Sequence, residues 1–116
     1  MFTFTAMAAE YFYDVMKNYV KEYLALLRTT HSEAVVDTYY DVLFFFTELL
    51  YHREMCNGFE DITVAMTNSK LRNFYKRNTD KTLTDKNCKI ILKSFFTYLY
   101  DTYGIKCDKV MKGLEK

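Results

Sequence analysis

Apolar residues recur along the first quarter of the chain at Ala8, Tyr11, Phe12, Val15, Tyr19, Tyr23 and Leu26. Steps of three and four keep side chains on one side of a 3.6-residue turn, so this spacing predicts a helix over residues 4–28 with that stripe inward. Glu10, Asp14, Lys17 and Lys21 fall on the opposite side, acids first and bases later, the order the helix dipole favours. Thr30-His31-Ser32-Glu33 then has the spacing of a capping box, with Thr30 as cap and Glu33 reaching back, which predicts a second helix. Its inner face reads Val35, Tyr39, Val42, Leu43, Phe46, Leu49 and Leu50, and its outer face Glu33, Asp37, Asp41 and Glu48. Phe44 projects among those acids, with Tyr40, Phe45 and Tyr51 beside it. A helix this apolar all round is either enclosed by its neighbours or in contact with another chain.

Asn57-Gly58 is the clearest break in the periodic pattern, since both residues tolerate positive φ and glycine suits the position after a helix. Beyond it Phe59, Ile62 and Met66 form one stripe and Leu71, Phe74 and Tyr75 another, separated by Thr67-Asn68-Ser69, whose side chains compete for backbone hydrogen bonds. Two short helices or one bent helix ending near Arg77 are expected. Asn78 to Thr82 is the most loop-like segment, and Thr82 or Thr84 is placed to cap a fourth helix with Cys88, Ile91, Leu92, Phe95, Leu99 and Thr102 on its inner stripe. Gly104 marks its end, with Ile105 behind it as the apolar residue that packs back on such a cap. Asp108 opens a last short turn carrying Val110, Met111 and Leu114.

Composition supports this all-α reading. Proline is absent and only three glycines occur in 116 residues, half of which are apolar, so the chain has few breakers and enough apolar surface for one core. We expect a single domain over residues 1–116, a compact and mostly antiparallel bundle of four main helices, the third whole or broken, with a short helix at the C-terminus. The three cysteines include no CxxC pair, which argues against a disulfide framework and for a reducing, intracellular setting, cytoplasmic or nuclear. Met1 to Thr5 carries no basic leader, and Glu10 and Asp14 interrupt any apolar core of a secretion signal. Apolar runs such as Val42-Leu43-Phe44-Phe45-Phe46 are far short of a membrane span. No membrane span and no secretion are expected.

Charge sharpens the picture. Residues 1–66 hold four Lys/Arg against ten Asp/Glu, and residues 67–116 twelve against five, so a net of −6 is followed by +7 within a total of +1. Segregated charge of this kind marks interaction surfaces. The basic half concentrates in Lys70, Arg72, Lys76, Arg77, Lys81, Lys86, Lys89 and Lys93. On the fourth helix Lys86, Lys89 and Lys93 fall within about 60° of arc. Arg72, Lys76, Lys86, Lys89 and Lys93, with Tyr100 able to stack on a base, are therefore candidate nucleic-acid contacts, although no helix-turn-helix, RNP or zinc-finger pattern accompanies them. The acidic face of the second helix is the more specific candidate. Phe44 within a rim of Asp37, Asp41 and Glu48, with Tyr40 and Phe45 alongside, has the build of an aromatic anchor in a charged border.

Chemistry beyond binding has little support in the pattern. His52 and Cys56 stand at i,i+4 as two metal-ligand types, but the set is incomplete unless Cys88 or His31 joins through the fold. Glu48 and His52 are likewise spaced for an acid/base pair, with no nucleophile readable beside them. Phosphate-cradle and hydrolase motifs are absent. The expectation is a non-enzymatic regulatory or scaffolding protein without cofactor or metal, acting through helix faces and self-associating, with a dimer favoured. The alternative is a nucleic-acid binder using the basic face of residues 70–93. The absence of Pro and Trp beside abundant Tyr, Phe, Asn, Lys and Thr resembles small proteins of AT-rich genomes, including those of large DNA viruses. A compact viral Bcl-2-like regulator is a further alternative of that kind. The chain lacks an Asn-Trp-Gly-Arg-like motif, however, and its helices read as fewer and longer than that fold implies.

Overall fold

In the computed structural model, which describes the backbone of residues 4–115 and the side chains of residues 7–115, five α-helices surround one continuous apolar core. They are α1 (Phe4–Arg28), α2 (Glu33–Glu48), α3 (Ser69–Thr79), α4 (Asp85–Tyr103) and α5 (Asp108–Glu115). A π turn, Leu49–Arg53, continues α2, and two single 3-10 turns, Phe59–Asp61 and Ala65–Thr67, lead into α3. No strand occurs among the described residues, and no helix among them is long and apolar enough to cross a membrane. The segment Met1 to Thr3, read above for a leader, lies outside the described residues. The radius of gyration, 13.8 Å, is close to the roughly 13 Å expected of a compact chain of this length.

Side-chain pairings fix the packing directions. Tyr13 meets Glu48 and Tyr51 while Tyr23 meets Tyr39, so α1 and α2 run antiparallel. Tyr19 meets Tyr103 while Tyr23 meets Phe95, so α1 and α4 are antiparallel as well. Lys70 reaches Glu54, and Phe74 and Tyr75 reach Phe45, which sets α3 antiparallel to α2. Phe46, Phe95 and Phe96 are buried where α2 and α4 meet, each worth about 1.5–3 kcal/mol of burial.

Several local expectations change. The inner stripe of α1 is Ala9, Phe12, Met16, Val20, Tyr23, Leu24 and Leu27, whereas Tyr11 and Leu26 are 72% and 55% exposed. Two overlapping stripes satisfy the same three-four spacing. The set carrying Met16, Val20, Leu24 and Leu27 takes the interior, and the tyrosine-rich set rides its edge, where a phenol reaches partners or water. The cap of α2 is Ser32 and not Thr30: Ser32 Oγ accepts from the Val35 amide at 3.4 Å, while Thr30 Oγ1 faces the Leu27 carbonyl at 3.4 Å. Thr30 is still inside the turn that closes α1, so its hydroxyl serves that end first.

The break after α2 also differs. Gly58 is extended, and the positive-φ residue is Met55, at φ 51°, three residues earlier. The Glu54 amide reaches back to the Leu49 carbonyl at 3.1 Å and the Cys56 amide to Leu50 at 2.9 Å, so the chain leaves the helix by widening its last turn. The third helical region resolves into the two 3-10 turns and α3, which extends to Thr79 and ends on Asp80 at φ 60°. Further on, Thr84 caps α4, accepting from the Asn87 amide at 3.1 Å, and Gly104 closes it at φ 68° with the Ile105 amide returning to Leu99.

Candidate protein-interaction surface

The outward side of α2 is a ridge at four-residue steps, with Tyr40 and Phe44 as its large side chains. Tyr40 is 51% exposed and Phe44 41%, and their rings lie 6.0 Å apart. Phe44 is held edge-on by Phe45, whose ring centroid is 5.2 Å away at 83°. Asp37 is exposed beside them, and Glu33 stands exposed one turn earlier. Exposing two aromatic side chains at adjacent positions leaves apolar area in water that a partner would cover.

The other three residues of the expected site turn inward. Asp41 is half-buried and accepts the Tyr75 hydroxyl at 2.5 Å. Burial first, and the Asp41 carboxylate second, push the Tyr75 phenol up to about 12. Phe45 is half-buried, with its ring 5.3 Å from that of Tyr75 and 6.1 Å from that of Phe74. Glu48, also half-buried, accepts the Tyr13 hydroxyl and pairs with His52 Nε2 at 3.5 Å. The angular arithmetic of α2 puts Asp41 and Glu48 beside Phe44, but α3 and α1 pack along the two flanks, and their long tyrosines reach across to the carboxylates. A helical wheel drawn for one helix cannot contain that reach. The rim around Phe44 is thus less acidic than the sequence suggests.

At the far end of the ridge from Asp37, Tyr13 stacks on Tyr51 at 4.4 Å and Lys17 lies 4.3 Å above the Tyr13 ring. Lys17 also pairs with Asp14 at 3.3 Å. Burial first and Glu48 second raise the Tyr13 phenol to about 12, so it stays a donor across the ordinary pH range. The acid/base spacing of Glu48 and His52 is therefore filled by a third group that locks it to α1.

No family model, curated protein or solved structure matches this chain. Its own geometry has to carry the functional reading.

The basic candidates divide between two surfaces. Lys86, Lys89, Lys93 and Tyr100 share one face of α4 with Ile90, and Lys86, Lys93 and Tyr100 are exposed. Lys89 is half-buried and pairs with Asp85 at 3.2 Å. The Asn68 amide first and Lys89 second hold the Asp85 carboxyl below its ordinary value. Tyr100 lies farther along, at a cleft lined also by Ile105, Cys107 and Met111 where α5 meets α4. Arg72 and Lys76 belong to α3 and line a separate cleft with Thr82 and Leu83. Arg72 is half-buried, its Nε donating to the Leu83 carbonyl at 3.0 Å and its Nη1 to Asn68 Oδ1 at 3.5 Å. It tethers the loop between α3 and α4, a role sequence spacing could not show.

His52 and Cys56 do not converge. The π turn separates them: His52 stays exposed against Glu48, while the buried Cys56 thiol faces Met66 Sδ at 3.8 Å and the Asp61 carbonyl at 3.9 Å. The Cys88 thiol, also buried, donates to the Thr67 carbonyl at 3.0 Å. Among the described residues no cluster of three His, Cys, Asp or Glu side chains is arranged to hold a metal.

One constellation escaped the sequence reading. Arg53, Lys70 and Arg77 gather around a cleft between the π turn and α3. The signal for it was present in Arg53, which occupies a core position of the α2 stripe and has to be turned out of it.

Proposed function

We propose that this chain is a non-enzymatic regulatory or scaffolding protein that works as a homodimer, two copies pairing antiparallel through the outer ridge of α2. The observation that carries the reading is the adjacent exposure of Tyr40 and Phe44 on a helix whose other large side chains are buried or engaged. Two aromatic rings on adjacent turns of one ridge match themselves when a second copy is turned end for end, so a second copy fits as the occupant. The charged groups at its ends are largely matched within the chain, Glu33 by Arg28 at 3.8 Å, Lys17 by Asp14 at 3.3 Å and Glu48 by His52 at 3.5 Å, which leaves the aromatic rings as the main unpartnered surface. Turning one copy end for end sets the Tyr40 and Phe44 rings of each ridge against those of the other. Such an isologous contact closes on itself and leaves no sticky surface behind. Three free thiols suit the reducing intracellular compartment this reading implies.

A single helix ridge is a small interface, so the dimer's Kd should be of micromolar order. Phe44→Asp places a like charge at the centre of both ridges and should leave a helical monomer, read by light scattering with circular dichroism as the control for folding. A variant of unchanged mass removes Phe44 from the contact. The nucleic-acid reading draws its support from Lys86 and Lys93 on the α4 face, and it is the weaker one because Arg72 and Lys89 are engaged within the chain. It predicts steeply salt-dependent duplex binding that is abolished by replacing Lys86, Lys89 and Lys93 with Glu.

A further inference from the structure

The position of Arg53 is set by the π turn. Val42, Phe46 and Leu49 are buried on one stripe of α2, and Arg53 continues it at four residues beyond Leu49. A straight α-helix would drive its guanidinium into the core. The widened turn, closed by Glu54 to Leu49 at 3.1 Å and Cys56 to Leu50 at 2.9 Å, accommodates one extra residue, a rotation of about 100°, and Arg53 emerges exposed. Met55 then takes φ 51°, a region that costs a non-glycine residue about 1–2 kcal/mol. Widened turns and left-handed non-glycine residues are both enriched at functional sites.

The cleft into which Arg53 is turned has a volume of about 200 Å³ and is lined by Leu49, Arg53, Glu54, Lys70, Asn73, Phe74 and Arg77. Its one carboxylate is already matched: Glu54 Oε1 lies 2.6 Å from Lys70 Nζ, which fixes the ammonium at the rim. Arg53 and Arg77 have no ion-pair partner among the described residues. The lining side chains therefore sum to a net of +2, supplied by two guanidinium forks on facing elements, with the Asn73 amide between turns of α3 and Leu49 and Phe74 as apolar floor.

We propose that this cleft binds a terminal phosphate, a phosphate-monoester dianion on a small soluble molecule. Guanidinium forks match phosphate oxygens two at a time, and two of them with an ammonium neutralise a dianion where a single arginine would not. The cleft is smaller than sites for drug-sized ligands, which run to about 300–1,000 Å³, so it suits the phosphate and little of what bears it. A diester in a nucleic-acid backbone carries one charge and two bulky substituents and fits less well.

The full chain should be titrated calorimetrically with inorganic phosphate and, separately, with dimethyl phosphate, in chloride buffer of matched ionic strength. The expected result is saturable phosphate binding with a Kd of about 1 mM or tighter, weakened about tenfold or more by either Arg53→Gln or Arg77→Gln. Lys86→Gln, on the α4 face, should bind as the parent does. Dimethyl phosphate should bind about tenfold more weakly than phosphate. Absence of saturable phosphate binding overturns the proposal, as does parent-like binding by both arginine variants. Equal weakening by Lys86→Gln would mean diffuse charge attraction, and equal affinity for the diester would mean a nucleic-acid backbone contact; either result also overturns it. Because the cleft lies within one chain, Phe44→Asp should leave phosphate binding intact, which separates this proposal from the dimer.

Discussion

Removing one oxygen from Tyr75 tests how the α2 flank is held. In Tyr75→Phe the ring keeps its edge-on contact with Phe45, centroid to centroid 5.3 Å, and only the 2.5 Å hydrogen bond to Asp41 is lost. A hydrogen bond to a charged group contributes about 1.5–3 kcal/mol net. Asp41 is half-buried and regains some water once the hydroxyl has gone, so the expected cost is the lower part of that range, about 1.5–2 kcal/mol. For a domain of this size that lowers Tm by roughly 4 °C per kcal/mol. Asp41→Asn keeps an acceptor but removes the charge, and should cost about 1 kcal/mol. Urea unfolding of the two single variants and the double variant gives the coupling directly. A double variant no worse than Tyr75→Phe alone is the expected non-additive result. A Tyr75→Phe protein as stable as the parent, or strictly additive losses, would refute the claim that Asp41 is committed inside the chain and return it to the exposed acidic rim.

Other outcomes follow from the same geometry. At Gly113 a Cβ would lie 2.5 Å from Val64 Cγ1, so Gly113→Ala should destabilise by about 1 kcal/mol despite alanine's better helix propensity, and Val64→Ala should rescue it in thermal melts. Gly104→Ala, with no atom within 4 Å of the new Cβ but φ at 68°, should cost about 1 kcal/mol through the backbone alone, and Val64→Ala should not help. Tyr13 and Tyr75 ionise near 12 in the folded chain against 10.0 ordinarily, so their bonds stabilise fully below pH 10 and are lost as pH rises toward 12; alkaline unfolding should shift upward in Tyr75→Phe once its lower neutral-pH stability is subtracted. Burial raises the Cys88 thiol to about 12 and those of Cys56 and Cys107 to about 11, so native alkylation should be slow, with half-buried Cys107 first, and denaturant should release all three.

Periodicity made the existence of α2 and α4 legible, and Thr84 and Gly104 bound α4 as their chemistry demands, although Val36 and not Val35 is the buried valine of α2 and Thr102 lies outside the α4 stripe. α1 was harder. Its tyrosine-rich and aliphatic stripes differ by about one residue, and only the packing of Met16, Val20, Leu24 and Leu27 against the other helices decides between them. The exit from α2 was hidden because a π turn has no signature of its own, and Gly58 offered a better turn residue than the Met55 the chain uses. At the candidate interface, Tyr40 and Phe44 were correctly placed outside because nothing long enough reaches them. Asp41 and Glu48 were not, since the tyrosines that claim them lie 34 and 35 residues away in sequence. Arg72 escaped for the same reason, its partner carbonyl belonging to a loop whose path only the fold defines.

The mass of the purified chain in solution, measured by sedimentation equilibrium across concentrations spanning the micromolar range, tests the central claim most directly. The account predicts a reversible shift between the 13.9 kDa chain and twice that mass, abolished by Phe44→Asp with helicity retained. A protein that stays at 13.9 kDa at every concentration, or a dimer that Phe44→Asp leaves untouched, would contradict it.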